Sequence, residues 1–72
     1  MKKILFNYSK LRGRITEVCG SQKAFAKALN ISDSTLTSKM KNYTYFTQRE
    51  ILQAIEILRI PNEEVSIYFF TV

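Results

Sequence analysis

Apolar residues recur along most of this chain in steps of three and four, the spacing of helices rather than of strands. Leu11, Ile15, Val18 and Cys19 form a first stripe and predict a helix over about Ser9 to Cys19, with Lys10, Arg14 and Glu17 outside. Phe25 and Leu29, four apart with Ala26 in the same quarter, make a second helix. Leu36 and Met40 make a third. Ile51, Leu52, Ile55 and Leu58, widened by Ala54 and Ile57, give the clearest helix of the chain. A short fifth helix follows Pro61, with Val65, Tyr68 and Phe69 packing down. Ahead of all this, residues 1–7 read as a short apolar arm in which Ile4 and Phe6 alternate with Lys3 and Leu5. It packs either against the core or against a partner.

The polar residues between the stripes are those that begin and end helices. Gly20 stops the first, and Gly13 within it suits close helix packing. Ser21 and Ser32 are N-caps, and Asp33 adds a negative charge where the helix dipole favours it. Asn30 follows the last apolar residue of the second helix and tolerates the left-handed conformation that ends it. Thr47 with Glu50 three residues on is a capping box. Ile60-Pro61 ends the fourth helix, and Asn62 is expected to cap the fifth, with Glu63 and Glu64 in its first turn.

Residues 21–42 therefore hold two short helices joined by a tight turn. The second presents Ser34, Thr37, Ser38 and Lys41 at i, i+3, i+4 and i+7, a polar and mostly short-chained outer face. This is the pattern of a helix-turn-helix unit, whose second helix enters the DNA major groove. The plainer alternative is a helical hairpin with a solvated face. The expected fold is all-α, a compact five-helix domain spanning residues 1–72.

The stretch resembles the helix-turn-helix of the Cro/repressor family of phage regulators. The matching positions are Gln22 opening the first helix, Ala26 at the crossing, Asn30 where the family usually has Gly, Ile31 buried in the turn, Ser32 as cap and Leu36 in the core of the recognition helix. The likeness runs from about Ser9 to Ile60. Cro-like proteins and the short antirepressors called modulators of repression share this length and opening. The resemblance implies a lambda repressor-like fold, action on the lysis–lysogeny switch, and the cytoplasm of a bacterial host. It also implies that Lys41, Asn42, Tyr43 and Thr44, in the loop after the recognition helix, run along the DNA backbone.

Charge sharpens this expectation. The net charge is +5 over 72 residues. It is unevenly spread: residues 1–49 carry ten Lys/Arg against Glu17 and Asp33, net +8, and residues 50–72 carry Arg59 against four Glu, net −3. The basic part, which contains the helix-turn-helix, attracts a polyanion. Gln22 and the first N–H groups of the second helix would hold a phosphate, and Lys23, Lys27, Lys39 and Lys41 would supply positive charge. Base edges would be met by Asp33, Ser34, Thr35, Thr37 and Ser38. That face lacks Arg, Asn and Gln, so it offers no bidentate contact to guanine or adenine, each of which contributes about 1–3 kcal/mol of discrimination.

The main expectation is a Cro-like regulator binding operator DNA through its third helix. The alternative is an antirepressor that binds the cognate phage repressor and blocks its DNA-binding surface, with Asp33 set against basic residues of that partner. The C-terminal run of Tyr68, Phe69 and Phe70, followed by Val72, has more apolar surface than one small helix buries, and is read as a homodimer or partner surface. There is no His, one Cys, and no Gly-rich phosphate loop. Neither a catalytic set, a metal site nor a cofactor is expected, and an enzyme is not. Cys19 is read as a small buried hydrophobe. No segment is apolar for the 18 or more residues that cross a bilayer, and the opening resembles a signal peptide for only three residues.

Overall fold

The computed structural model describes residues 4–72; Met1, Lys2 and Lys3 of the arm lie outside the described residues. Five helices follow in order: α1 (Ser9–Cys19), α2 (Gln22–Ala28), α3 (Asp33–Met40), α4 (Gln48–Leu58) and α5 (Val65–Phe69), the last preceded by a 3₁₀ turn at Asn62–Glu64. Among the described residues there is no strand. The fold is all-helical, as the apolar spacing predicts.

Capping sets the boundaries. The Ser21 hydroxyl accepts from the Ala24 N–H at 3.1 Å, and Ser32 accepts from Thr35 N–H at 3.1 Å. Thr47 and Glu50 close a reciprocal box: Glu50 N–H donates to Thr47 Oγ1 (3.1 Å), and Thr47 N–H donates to Glu50 Oε1 (2.8 Å). Asn62 does not cap α5. It is the first residue of the 3₁₀ turn, and Pro61 precedes it with no side-chain cap.

Three helices end in one way. Asn30, Asn42 and Arg59 are left-handed (φ 60°, 66° and 53°). After each, the next N–H reaches back five residues, Ile31 to Ala26 O (3.0 Å), Tyr43 to Ser38 O (2.9 Å) and Ile60 to Ile55 O (3.0 Å). Asn tolerates this conformation; Arg does so at a cost of about 1 kcal/mol. Arg59→Gly is therefore expected to raise the unfolding free energy by about 0.5 kcal/mol in urea titration, and a loss there would show the left-handed Arg to be unstrained.

α1 is the central element, packed on α2, α4 and α5, while α3 packs on α2. Leu11, Ile15, Phe25, Leu36, Ala54, Leu58 and Phe69 are almost wholly buried. Arg14 ties α1 to the end of α4: its Nε donates to Leu58 O (2.9 Å) and its guanidinium pairs with Glu17 (2.9 Å). Arg14 thus satisfies a carbonyl that the helix end leaves open.

Two apolar positions depart from expectation. Val18 is 40% exposed, because the cover over α1 runs out in its last turn. Leu52 is 65% exposed. α4 is apolar over more than half its circumference, so the pattern alone does not fix its buried centre. That centre is Ala54 and Leu58, which places Leu52 on the opposite side.

Candidate functional site

Two surfaces stand out, and they share no residue. The first is the front of α2 and α3. Asp33, Ser34, Thr35, Lys23 and Lys41 are exposed, as are Tyr43 and Thr44 in the following loop. Thr37 and Ser38 are half-buried. Gln22 is half-buried too, and its amide donates to Thr37 Oγ1 at 3.2 Å, while that hydroxyl donates to Asp33 O at 2.9 Å. Gln22 thus spans α2 and α3 rather than reaching outward. Thr35 Oγ1 lies 2.7 Å from the Ser32 hydroxyl, so this Thr is engaged in the cap.

Lys39 and Asn42, expected at phosphates, are not on this surface. Lys39 is 7% exposed. Its ammonium lies 2.9 Å from Glu50 Oε1, donates to Tyr45 O at 3.1 Å, and sits 6.0 Å from the centre of the Phe46 ring. One carboxylate oxygen thus receives both Lys39 and the Thr47 N–H. Burial pushes the Glu50 carboxyl upward, but the hydrogen bonds from Thr47 and Lys39 and the Lys39 charge outweigh it and hold the group below the usual carboxylate range. Lys39 pins the loop 41–47 between α3 and α4, which removes one positive charge from the exposed face of α3.

Asn42 is also buried, and it straps the arm to the body. Its Oδ1 accepts from Phe6 N–H at 2.9 Å, and its Nδ2 donates to Phe6 O at 2.9 Å. Tyr45 OH donates to Ile4 O at 2.7 Å, and Asn7 N–H donates to Thr71 O at 2.7 Å. The arm therefore lies on the protein's own core and joins the C-terminus to the loop after α3.

This junction forms the second surface. Phe6 meets Tyr45 (5.6 Å between ring centres), Phe70 (5.9 Å) and Tyr8 (6.1 Å). Tyr8 meets Phe46, and Phe46 meets Phe69, edge to face. These rings, with Ile4 and Ile51, line an open cleft of about 250 Å³. Two of its lining residues are solvent-exposed, Ile4 at 55% and Phe70 at 51%, and Leu5 and Val72, next to them in sequence or nearly so, are exposed as well. Tyr68 and Phe69, named with Phe70 as a C-terminal interface, are instead buried at 8% and 2%. Burial pushes the Tyr8 hydroxyl pKa upward, with neighbouring Tyr45 adding to the shift, so Tyr8 stays neutral.

Sequence reasoning missed Tyr8 as a core residue and the two-way Asn42 strap. The place of Asn42 just past α3, like that of Asn30 past α2, signals its left-handed backbone but not the strap. Cys19 is half-buried, and burial raises its thiol pKa, which suits packing rather than nucleophilic chemistry. Among the described residues, no cluster of His, Cys, Asp or Glu is placed to hold a metal ion, and no helix is long and apolar enough to cross a membrane.

Comparison with known proteins adds a family and a structural likeness. The family described as Protein of unknown function (DUF739) matches residues 4–72. No curated protein matches. Among solved structures, the chain is similar to the modulator of repression (MOR) of the temperate bacteriophage TP901-1 from Lactococcus lactis, determined in solution. The two are 35% identical, the match covers 96% of this chain and 93% of that one, and the TM-score is 0.81. The chain is thus similar to a phage regulator.

Proposed function

The chain belongs to the DUF739 family, and from that premise we propose that it is a modulator of phage repression, binding the repressor of its own phage and keeping that repressor from its operator. The observation that carries this reading is the exposed aromatic cleft between the arm, the loop after α3 and the C-terminus. Such a surface gains free energy by meeting apolar side chains of another protein and nothing by meeting phosphates. The α3 face supports the same reading from the opposite direction. It has no Arg, Asn or Gln to fork onto a base, and Lys39 is turned inward. The role is one of binding, without catalysis or a cofactor.

Direct operator binding through α3 is the second reading. It is favoured by the exposed Lys23, Lys27 and Lys41 beside the Ser/Thr face. The two readings separate by mutation. Phe70 is half-exposed at the lip of the cleft, so Phe70→Ala should leave the helical circular dichroism intact while weakening repressor binding by about tenfold to a hundredfold in calorimetry. Unchanged affinity would place the partner elsewhere. Under direct DNA binding, Lys41→Glu would instead be the damaging change, flattening the salt dependence of operator binding.

A further inference from the structure

Two features of the surface have no role in that reading. One is an open groove of about 600 Å³ along α2 and the start of α3. It is lined by Ala24, Ala26 and Ile31, by Lys23 and Lys27 one turn apart on α2, and by Asp33 at the start of α3. The other is the outward side of α4, where Leu52 is exposed to 65%. Arg49 precedes it by three residues and Glu56 follows it by four, so all three share one face. Among the described residues, Lys23, Lys27, Asp33, Arg49 and Glu56 make no side-chain ion pair or hydrogen bond.

The two features are complementary in kind, each pairing an apolar centre with charges of both signs. Along α4 the face reads positive, apolar, negative. The groove brings together Asp33, apolar lining from Ala24, Ala26 and Ile31, and the two lysines. They also adjoin. A smaller hollow of about 280 Å³ is lined by Asn30 and Ile31, which also line the groove, and by Arg49 and Gln53 on α4. A face that carries both halves of a contact on one side can meet its own copy about a two-fold axis, making the contact twice and closing it.

We propose that this chain self-associates in this way, the α4 face of each copy seated in the α2–α3 groove of the other. Leu52 covers Ala24 and Ile31, Glu56 faces Lys23 and Lys27, and Arg49 faces Asp33. A duplex does not suit the groove: much of its lining is apolar and Asp33 would repel the phosphates. The charged contacts lie at the rim and the apolar centre is small, so the dimer is weak, with a dissociation constant of about 10–100 μM that rises with salt. The groove and the aromatic cleft share no residue, so this inference does not depend on the repressor reading.

Sedimentation velocity from about 5 to 500 μM protein, at low and high salt, tests it. The expected result is a monomer–dimer equilibrium. Lys27→Glu and Glu56→Lys each weaken it by about tenfold, because each reverses a charge at both halves of the contact, and the double variant recovers most of the loss. Leu52→Ala weakens it while leaving the fold intact, since Leu52 is outside the core. A monomer throughout the range would overturn the proposal. So would a dimer indifferent to these changes, which would place the contact on the aromatic surface, or a double variant no better than either single one. A monomer that still binds the phage repressor would overturn self-association alone. A salt-sensitive dimer with no affinity for that repressor would overturn only the function proposed above.

Discussion

Replacing Lys39 with Met is expected to lower the unfolding free energy by about 3 kcal/mol. Such a change leaves the Glu50 carboxylate half-buried with only the Thr47 N–H, and it removes the bond from Lys39 to Tyr45 O. A chain of 72 residues has a total stability of about 4–10 kcal/mol, so this one side chain accounts for a large share. The second half of the result distinguishes a lost pair from lost packing. Lys39→Met combined with Glu50→Gln removes the stranded charge and keeps a side chain that still closes the box with Thr47. The double variant should therefore recover about 2 kcal/mol.

The same pair gives a pH dependence. Glu50 titrates lower in the folded protein than in the unfolded chain. Its contribution is thus complete above the unfolded value and is lost as the pH falls through the folded one. Urea midpoints of the parent protein should drop between about pH 5 and pH 3, and those of Lys39→Met should drop less. Equal slopes would mean that Lys39 does not hold the carboxyl down.

Asn42→Ala should cost about 3 kcal/mol, divided between two causes. The left-handed backbone at φ 66° disfavours Ala by about 1 kcal/mol, and two hydrogen bonds to a part-buried backbone contribute about 1 kcal/mol each. Asn42→Gly keeps the backbone and loses only the bonds, so it should cost about 2 kcal/mol. In both variants the arm is released from the loop. The Phe6 amide should then exchange its hydrogen much faster than the core amides of α1, and repressor binding should fall further than stability does, because Phe6 is the centre of the aromatic cleft. Slow exchange at Phe6 in Asn42→Gly would show that ring packing alone holds the arm.

These residues also show what could be read without coordinates. Ser21, Ser32, Asn30 and the Thr47–Glu50 box were legible because capping is local: donor and acceptor lie within three or four residues of each other. The exposed remainder of the C-terminus, with Phe70 and Val72, was legible from a surplus of apolar side chains. Lys39 and Asn42 were not legible in this way. A Lys on a short polar helix reads as solvated, and only the return of the chain through Glu50 and Phe46 gives it a buried partner. The Asn42 strap joins residues 36 apart in sequence. Leu52 failed for another reason: a helix apolar on most sides does not reveal which side is covered.

The central claim, that this chain acts on a repressor rather than on DNA, is tested most directly by fluorescence anisotropy on labelled operator DNA from its own phage. The repressor is bound first and this protein is then titrated in; a parallel titration omits the repressor. Saturable release of the DNA is expected in the first and, in the second, only feeble binding without sequence preference. Tight, operator-selective binding by this protein alone, falling steeply with salt and leaving the repressor in place, would contradict it.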